Sequence, residues 1–212
     1  MTEYLLLRHR NPGEDNIADL DTYLSLGGFQ AYERVVTTMT SSDVVEIIKE
    51  SGLRGRGGAG FPTGVKWSFL SNRFPRYVVA NSDESEPGTF KDREILEHNP
   101  FQFLEGLMIC AYAAQAEVAY NYCRGEFWEL THRLEQKVYQ LNDRGLLGNN
   151  IFNTDYSLKN KLNLELELRY YYKNDNTGNV QGYENLWRYR LGVEKEWKIK
   201  PFKLFLRAAY QN

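Results

Sequence analysis

Residues 52 to 67 read Gly52-Leu-Arg-Gly-Arg-Gly-Gly-Ala-Gly60-Phe-Pro-Thr-Gly64-Val-Lys66-Trp67, and this stretch decides how the first half of the chain is interpreted. Glycine permits positive φ and lets backbone N–H groups approach an anion without a Cβ in the way, while the flanking cations neutralise charge. The pattern therefore favours a loop that holds phosphate. An ordinary glycine-rich surface turn is the alternative.

The loop departs from both common nucleotide-binding motifs. Three of its glycines satisfy GxGxxG, but the dinucleotide motif needs a strand in front of the loop. Residues 43–51 instead carry apolar side chains at helical spacing, with Ser42 or Asp43 expected to cap the start and Gly52 at the C′ position. The Walker pattern fails because Trp67 follows the lysine. We therefore predict that a helix leads into the loop.

Length and charge exclude several classes of protein. The chain has 212 residues, enough for one good core or two small ones, and a formal net charge of −2, so no nucleic-acid partner is expected. No apolar run approaches the roughly 20 residues that a membrane-spanning helix needs. The N-terminus has an acidic residue ahead of three leucines and no cleavage site, so we predict no secretory signal and a cytoplasmic location.

Metal chemistry is not expected. Cys110 and Cys123 are the only cysteines, they belong to no CxxC motif, and we predict that both are buried reduced thiols. Two cysteines cannot ligate an iron–sulfur cluster. His9, His98 and His132 are scattered in sequence and are expected to be solvated or capping residues.

Helices and strands alternate from the loop to about residue 157. We predict an α/β layer, because strands separated by helices of this length pair in parallel. The predicted elements are a short buried strand at 76–80, a polar turn at 81–89, a helix opened by Asn99 and Pro100, a strand at 118–123 and a helix at 126–141. Ligands in such sheets bind where the strands end, which is where residues 81–86 lie.

The hydrophobic period changes to 2 after residue 157. Alternating strands are predicted over 162–172, 187–194 and 202–210, and together they make an antiparallel β meander of about three strands, residues 158–212, of unknown role. Their long edges and exposed aromatic residues predict self-association.

Two paired motifs identify a family. The run from Leu53 to Trp67, followed by Asn81-Ser-Asp-Glu-Ser-Glu-Pro-Gly-Thr-Phe-Lys-Asp-Arg93, closely resembles the NADH-binding flavoprotein subunit of respiratory complex I, the NADH:quinone oxidoreductase. The likeness covers roughly residues 25–157 and includes Arg124-Gly-Glu-Phe127. It implies a Rossmann-like, incomplete FMN- and NADH-binding layer in residues 1–157. The family's flavin-closing segment and its four-cysteine [4Fe–4S] domain have no counterpart in this sequence.

The resemblance implies roles for individual residues. The candidate cofactor-binding residues belong to the glycine loop, its flank or the turn after the first strand: Gly55, Arg56, Gly57, Gly58, Gly60, Phe61, Gly64, Lys66, Phe69, Asn81, Asp83 and Glu84. The resemblance implies that Gly55, Arg56, Gly57 and Lys66 hold the flavin phosphate side. It implies that Asn81, Asp83 and Glu84 bind the ribityl chain and the ring edges. Phe61 and Phe69 would stack on the adenine of NADH, with ordinary core aromatics as the alternative.

Glu86 is the candidate catalytic residue, because the resemblance places it at the nicotinamide end of NADH. Without the motif, Glu84 and Glu86 would be solvated charges in a polar turn. The implied cofactors are FMN and NAD, and the implied partners are NADH and other subunits of the complex I peripheral arm.

The sequence thus predicts an enzyme that transfers hydride from NADH to FMN, impaired in this chain by truncation and with weak or absent flavin retention. The alternative is a noncatalytic fusion or relic whose C-terminal β segment acts as a packing or interaction surface. That segment faintly resembles a bacterial outer-membrane barrel-like family of unknown function, but three strands are too few to satisfy the backbone in a membrane.

Overall fold

Helices surround a small sheet in this protein. The computed structural model describes residues 18–148, 151–153, 163–168 and 187–191. The described α-helices are α1 (Leu20–Ser25), α2 (Gln30–Thr38), α3 (Ser41–Glu50), α4 (Thr63–Ser68), α5 (Lys91–His98), α6 (Pro100–Ala114) and α7 (Trp128–Asp143). The described strands are β1 (Tyr77–Ser82), β2 (Val118–Cys123), β3 (Asn163–Leu168) and β4 (Trp187–Leu191), and short 3₁₀ helices span Gly125–Phe127 and Ile151–Asn153.

The strands form one sheet in the order β1-β2-β3-β4. β1 and β2 are parallel over their whole length, from Tyr77 opposite Val118 to Ser82 opposite Cys123. The predicted α/β class and the parallel pairing of the first two strands are therefore confirmed. β2 also pairs in parallel with the beginning of β3, and β3 pairs antiparallel with β4.

A separate three-stranded meander is not supported. Two of its predicted segments are strands and pair antiparallel, but the first of them joins the edge of β2 and so extends the parallel sheet. The reason is that β2 has a free edge, and an exposed strand edge pairs with any extended segment that reaches it. The predicted strand at 202–210 lies outside the described residues.

Helix α6 is the centre of the core. Phe101, Leu104, Met108 and Ala111 are 0–1% exposed, and the helix contacts α2, α3, α5, α7 and both parallel strands. The predicted start of this helix is confirmed, with Asn99 at its N-cap position and a proline in its first turn. Core residues of α7 pack on the same cluster, including Leu134 and Leu141.

The prediction of a buried first strand is wrong. β1 runs from Tyr77 to Ser82, and Tyr77 and Val79 are 54% and 60% exposed. The alternate side chains Val78 and Ala80 pack against the core. Helix α6 covers the face of β1 that carries Val78 and Ala80, and the opposite face is open to solvent. A run of apolar residues in the sequence does not reveal which face of a strand is covered.

The start of α3 also differs from the prediction. Its N-cap is Thr40, and Asp43 occupies the N3 position of a capping box in which each side chain binds the other residue's backbone N–H. Ser42 therefore lies inside the first turn. The end of the helix is as predicted, since Gly52 follows the C-cap with φ +67°.

Both cysteines are free thiols. Cys123 is buried, and Cys110 is partly covered on α6. Burial raises the pKa of Cys110 to about 11 and raises the pKa of Cys123 as well. The prediction of a buried reduced thiol is confirmed for Cys123, whereas Cys110 is reduced but only partly buried.

Candidate functional site

The glycine loop is a small hairpin between α3 and α4. Its base is closed by two backbone hydrogen bonds, from the N–H of Gly55 to the oxygen of Phe61 (2.9 Å) and from the N–H of Thr63 to the oxygen of Leu53 (2.8 Å). Arg54 donates from Nη1 to the carbonyl of Gly60 at 3.2 Å. The tip between these bonds is therefore held at both ends while its own backbone stays uncovered.

The tip of the loop is open to a ligand. Gly58 and Gly60 have φ of +138° and +62°, conformations that glycine adopts without strain. A Cβ built on Gly57, Gly58 or Gly60 would meet no atom within 4 Å. Within the described part of the chain, the N–H groups of residues 56–60 have no acceptor. Exposed N–H groups in a glycine loop are suited to an anion, so the donor set fits a phosphate.

Two predicted cations belong to the loop and to the helix that follows it. Arg56 lies in the loop and is exposed, and Lys66 lies on α4 and is exposed as well. Neither forms an ion pair with another of the described side chains. Lys66 is near enough to Cys110 on α6 for its charge to lower the thiol's pKa slightly, against the larger effect of burial.

Gly64 has a different surrounding from the other loop glycines. It is buried, and a Cβ at this position would lie 2.4 Å from the backbone nitrogen of Lys49 and 2.8 Å from the carbonyl carbon of Ile48. Gly64 therefore permits the close packing of α4 on α3. Its predicted cofactor contact stays a prediction, and the structure provides a packing reason for a glycine there.

Phe61 and Phe69 come together beside the loop. Their ring centroids are 6.2 Å apart with an angle of 55° between the planes. Phe61 is 48% exposed and Phe69 is 71% exposed, so the alternative that they are core aromatics is wrong. An exposed aromatic pair next to a cationic loop offers π faces that a purine could stack on.

The turn after β1 brings the predicted polar residues together. The amide oxygen of Asn81 accepts the N–H of Asp83 at 3.0 Å, and the carboxylate of Asp83 accepts the hydroxyl of Ser85 at 2.9 Å. The side chain of Glu86 is exposed, and its carbonyl accepts the N–H and the hydroxyl of Thr89 at 3.2 and 2.7 Å. The turn is thus braced by its own side chains, with Glu86 facing solvent.

Glu84 differs from its neighbours because it is only 5% exposed. Its two carboxylate oxygens accept the backbone N–H groups of Asp92 (2.6 Å) and Arg93 (3.2 Å) in the first turn of α5. A negative charge at a helix N-terminus satisfies orphan donors and complements the helix dipole. Glu84 therefore caps α5 and is not a solvated charge. Its predicted contact with the ribityl chain stays a prediction.

A buried polar cluster lies at the ends of the parallel strands. Ser82 donates to the side-chain oxygen of Asn121 at 2.7 Å, and the amide nitrogen of Asn121 lies 3.1 Å from the sulfur of Cys123. These contacts fix the ends of β1 and β2 against each other, directly before the turn. Sequence reasoning missed the cluster, since small polar residues in a strand carry no signal of their own.

The glycine loop and the turn after β1 are two separate groups of candidate residues. Within the described part of the chain, no hydrogen bond, ion pair or ring contact joins residues 52–69 to residues 81–89. The same residues contain no cluster of three or more His, Cys, Asp or Glu side chains arranged for a metal ion. His98 and His132 lie near Glu94 and Glu135 at the surface, and His9 is outside the described residues. None of the described helices has the length and apolarity needed to span a membrane.

Comparison with known proteins places the chain beside flavoproteins. The family model of the Nuo51 FMN-binding domain matches residues 48–174, which is more than half of the chain. The chain is 45% identical over 159 residues to an NADH-quinone oxidoreductase subunit of Rhizobium meliloti (strain 1021) and 38% identical over 143 residues to an NADH-quinone oxidoreductase subunit of Escherichia coli (strain K12).

These matches cover most of this chain and a minor part of the relatives. They span 74% and 66% of the chain but 37% and 32% of the two proteins, so the chain spans about a third of the length of the curated relatives it matches. A solved NAD⁺-reducing [NiFe]-hydrogenase in the H₂-reduced state matches with a TM-score of 0.52 and 35% identity, over 58% of this chain and 22% of that chain.

Proposed function

Because the chain belongs to the family of the Nuo51 FMN-binding domain, we propose that its glycine loop and the turn after β1 form part of a site for FMN and NADH. The protein is then a partial flavoprotein subunit of an NADH:quinone oxidoreductase. When bound, FMN supplies the acceptor for a hydride from NADH, and the residues of this chain bind and orient the two nucleotides. The observation that carries the proposal is the uncovered tip of the glycine loop, which contains the exposed Arg56.

The loop binds the phosphate of FMN in this proposal. The N–H groups of residues 56–60 point to no acceptor within the described chain, and open space surrounds Gly57 and Gly58 where a phosphate would approach. The exposed Arg56 in the loop and the exposed Lys66 on α4 add positive charge. Backbone donors and cations together are the recurrent means by which proteins hold a phosphate dianion.

The aromatic pair binds the adenine of NADH. Phe61 follows the loop tip directly and Phe69 follows α4, so an adenine stacked on the pair would lie beside the phosphate-binding backbone. Base stacking on an aromatic ring contributes about 1–3 kcal/mol. Replacing either phenylalanine with leucine should therefore weaken NADH binding more than FMN binding.

The turn after β1 supplies polar contacts to the flavin and to nicotinamide. Asn81 and Asp83 offer amide and carboxylate oxygens to ribityl hydroxyls, and the exposed Glu86 meets the nicotinamide end of NADH. Glu84 contributes through its backbone in this proposal, because its carboxylate oxygens already accept two helix N–H groups. Replacing Glu86 with glutamine should lower NADH-dependent reduction of ferricyanide.

The proposed function also implies partner subunits and a place in the cell. Relatives of this chain are named as subunits, so we propose that the protein assembles with other peripheral-arm subunits in the cytoplasm. Residues 1–157 are the nucleotide-binding part in this proposal, and the strands described beyond residue 157 extend its sheet.

A comparison of FMN with riboflavin tests the phosphate contact. Both ligands carry the same ring and ribityl chain, so only FMN reports on the loop. Arg56→Gln and Lys66→Gln should each weaken FMN binding at least about fivefold, as expected for a lost charge-assisted contact, and leave riboflavin binding unchanged. Arg133→Gln, at an exposed surface ion pair, removes the same charge elsewhere and serves as the control. Equal losses for FMN and riboflavin would overturn the assignment.

A second candidate function is an interaction surface at the sheet edges. Among the described strands, β1 and β4 are the outer ones, and each has an edge that pairs with no other described strand. Such edges promote pairing between chains. Size-exclusion chromatography at several concentrations distinguishes this candidate, which predicts dimers or larger species, from a monomeric nucleotide-binding protein.

A further inference from the structure

Arg124 is the first residue after β2, and its side chain reaches across to the end of β1. The register places Ser82 opposite Cys123, so the residues that follow each strand leave the sheet side by side. In this position an arginine can contact the turn that carries Asn81, Asp83 and Glu86 without belonging to it. Arg124 opens the sequence motif Arg124-Gly-Glu-Phe127. Within the described residues, no hydrogen bond or ion pair joins residues 125–127 to the turn or to the glycine loop.

The guanidinium of Arg124 makes three contacts in different directions. Nη1 donates to the backbone oxygen of Glu84 at 2.7 Å, and Nε lies 3.8 Å from a carboxylate oxygen of Asp83. Nη2 donates to Glu126 at 2.9 Å, and this bond holds the guanidinium from the β2 side. A planar group with five donors can satisfy three acceptors at once, which a lysine ammonium on a flexible stem does less rigidly.

These contacts fix the turn at Glu84 from two sides. The carboxylate of Glu84 is bound by the N-terminus of α5, and its carbonyl is bound by Arg124. The orientation of the peptide after Glu84 therefore depends on Arg124, and this peptide leads to Ser85 and to the exposed Glu86. Loss of the arginine leaves the α5 cap in place but frees the backbone between Asp83 and Glu86.

We infer that Arg124 is a positioning residue of the nucleotide site, which holds the turn after β1 in the orientation that presents Asp83 and Glu86 to FMN and NADH. This inference rests on the proposed function, because the proposed function makes FMN and NADH the ligands of the turn. It extends that function to Arg124, which directly follows β2, donates to the main-chain oxygen of Glu84 and lies beside the carboxylate of Asp83.

The test uses the full chain with three substitutions. Arg124→Gln removes the guanidinium, and Arg124→Lys keeps the charge with a less rigid donor group. Arg133→Gln removes an exposed arginine whose described ion pairs are with Glu97 and Glu129. FMN and NADH affinities are measured by fluorescence titration, global stability by thermal unfolding, and local order by hydrogen exchange of the amides of residues 83–93.

Arg124→Gln should weaken binding of both nucleotides by at least about tenfold, the effect of losing a charged hydrogen bond that orders the site. Its Tm should stay near that of the parent, and exchange should become faster only in residues 83–93. Arg124→Lys should recover part of the affinity, and Arg133→Gln should match the parent.

Unchanged nucleotide affinity in Arg124→Gln would overturn the inference, as would a loss that follows a global fall in Tm and that Arg124→Lys does not recover. If the parent chain binds neither FMN nor NADH, the proposed function fails separately. Hydrogen exchange then decides the role of Arg124: faster exchange confined to residues 83–93 supports it, and unchanged exchange contradicts it.

Discussion

Gly57 lies in the glycine loop and Gly64 lies in α4, which follows it. Gly57 has open space around it, whereas Gly64 is closely packed. A Cβ on Gly64 would be 2.4 Å from the backbone of Lys49, whereas a Cβ on Gly57 would meet nothing within 4 Å. Gly64→Ala must push α4 away from α3 and should lower the free energy of unfolding by ~1–3 kcal/mol. Gly57→Ala should change it by less than about 0.5 kcal/mol. Urea unfolding of both variants checks the contrast, and equal stabilities would contradict the packing role of Gly64.

Cys110 makes stability depend on alkaline pH. Its pKa is about 11 in the folded protein against an ordinary value of 9.0, because burial disfavours the thiolate. The unfolded chain therefore releases this proton at lower pH than the folded chain. The contribution is complete below about pH 9 and is lost as the pH rises to about 11, and it amounts to ~3 kcal/mol at 1.36 kcal/mol per pKa unit.

Chemical denaturation between pH 8 and 11 measures this effect. Cys110→Ala should show a shallower loss of stability with rising pH than the parent, since lysines and tyrosines titrate alike in both proteins. Parallel curves for the two proteins would mean that the thiol is not shielded from water in the folded state.

Single residues are predictable where the signal is local and unpredictable where it is tertiary. Gly52 is identified from sequence because a helix end has a left-handed glycine at a fixed position. The cap made by Glu84 cannot be found in this way, since the helix it binds begins several residues later and the carboxylate reaches it through a folded turn. Arg124 belongs to a sequence motif, but its contact with Glu84 depends on the strand register.

Helix α2 depends on a glutamate from another element. Glu105 on α6 is 7% exposed, and its carboxylate accepts the hydroxyl of Tyr23 (2.6 Å) and the backbone N–H groups of Phe29 (2.9 Å) and Tyr32 (3.1 Å). Phe29 is the N-cap of α2 but provides no side-chain cap. Glu105 therefore takes the place of a local capping residue and joins α1 and α2 to α6.

Glu105→Ala should lower the free energy of unfolding by ~3–5 kcal/mol, because it leaves two buried N–H groups and a tyrosine hydroxyl without their acceptor. Glu105→Gln retains one acceptor oxygen and should lose less. Circular dichroism during urea unfolding measures both. A loss below about 1 kcal/mol in Glu105→Ala would show that water or a rearranged side chain replaces the carboxylate.

Elements with strong internal patterns are predicted well. β2 has its predicted bounds, and α6 begins where Asn99 and Pro100 indicate. The short α4 and the polar α5 are not predicted, because α4 spans only six residues and α5 buries one apolar side chain, Leu96. Helices of this kind are stabilised by packing and by distant caps, which leave no hydrophobic period in the sequence.

At the scale of the whole molecule, the parallel strands are covered on one face. Val78, Ala80 and Ala119 pack against the core, while Tyr77 and Val79 are exposed on the other side. Parallel sheets in α/β proteins normally have both faces covered. Because this face of β1 is open to solvent directly before the turn that carries the proposed site, we expect FMN to bind reversibly and to be lost on desalting.

The same reasoning explains why the fold class is predictable while the arrangement of the second half is not. Parallel pairing of β1 and β2 follows from the helix between them. The attachment of β3 to β2 depends on a strand edge that forms only when the sheet folds. The hydrophobic period of 2 is the same for a strand in a meander and for a strand at that edge, so the sequence pattern does not distinguish them.

The central claim is that the open glycine loop binds the phosphate of FMN, and titration of Gly57→Ala with FMN tests it most directly. Gly106→Ala, at an exposed glycine of α6 where a Cβ would also meet nothing, is the matched control. The parent and Gly106→Ala should bind FMN saturably, and Gly57→Ala should bind at least about tenfold more weakly at unchanged stability, because its methyl group occupies the phosphate approach. Equal affinity of all three proteins, or no saturation by the parent at millimolar FMN, would contradict the claim.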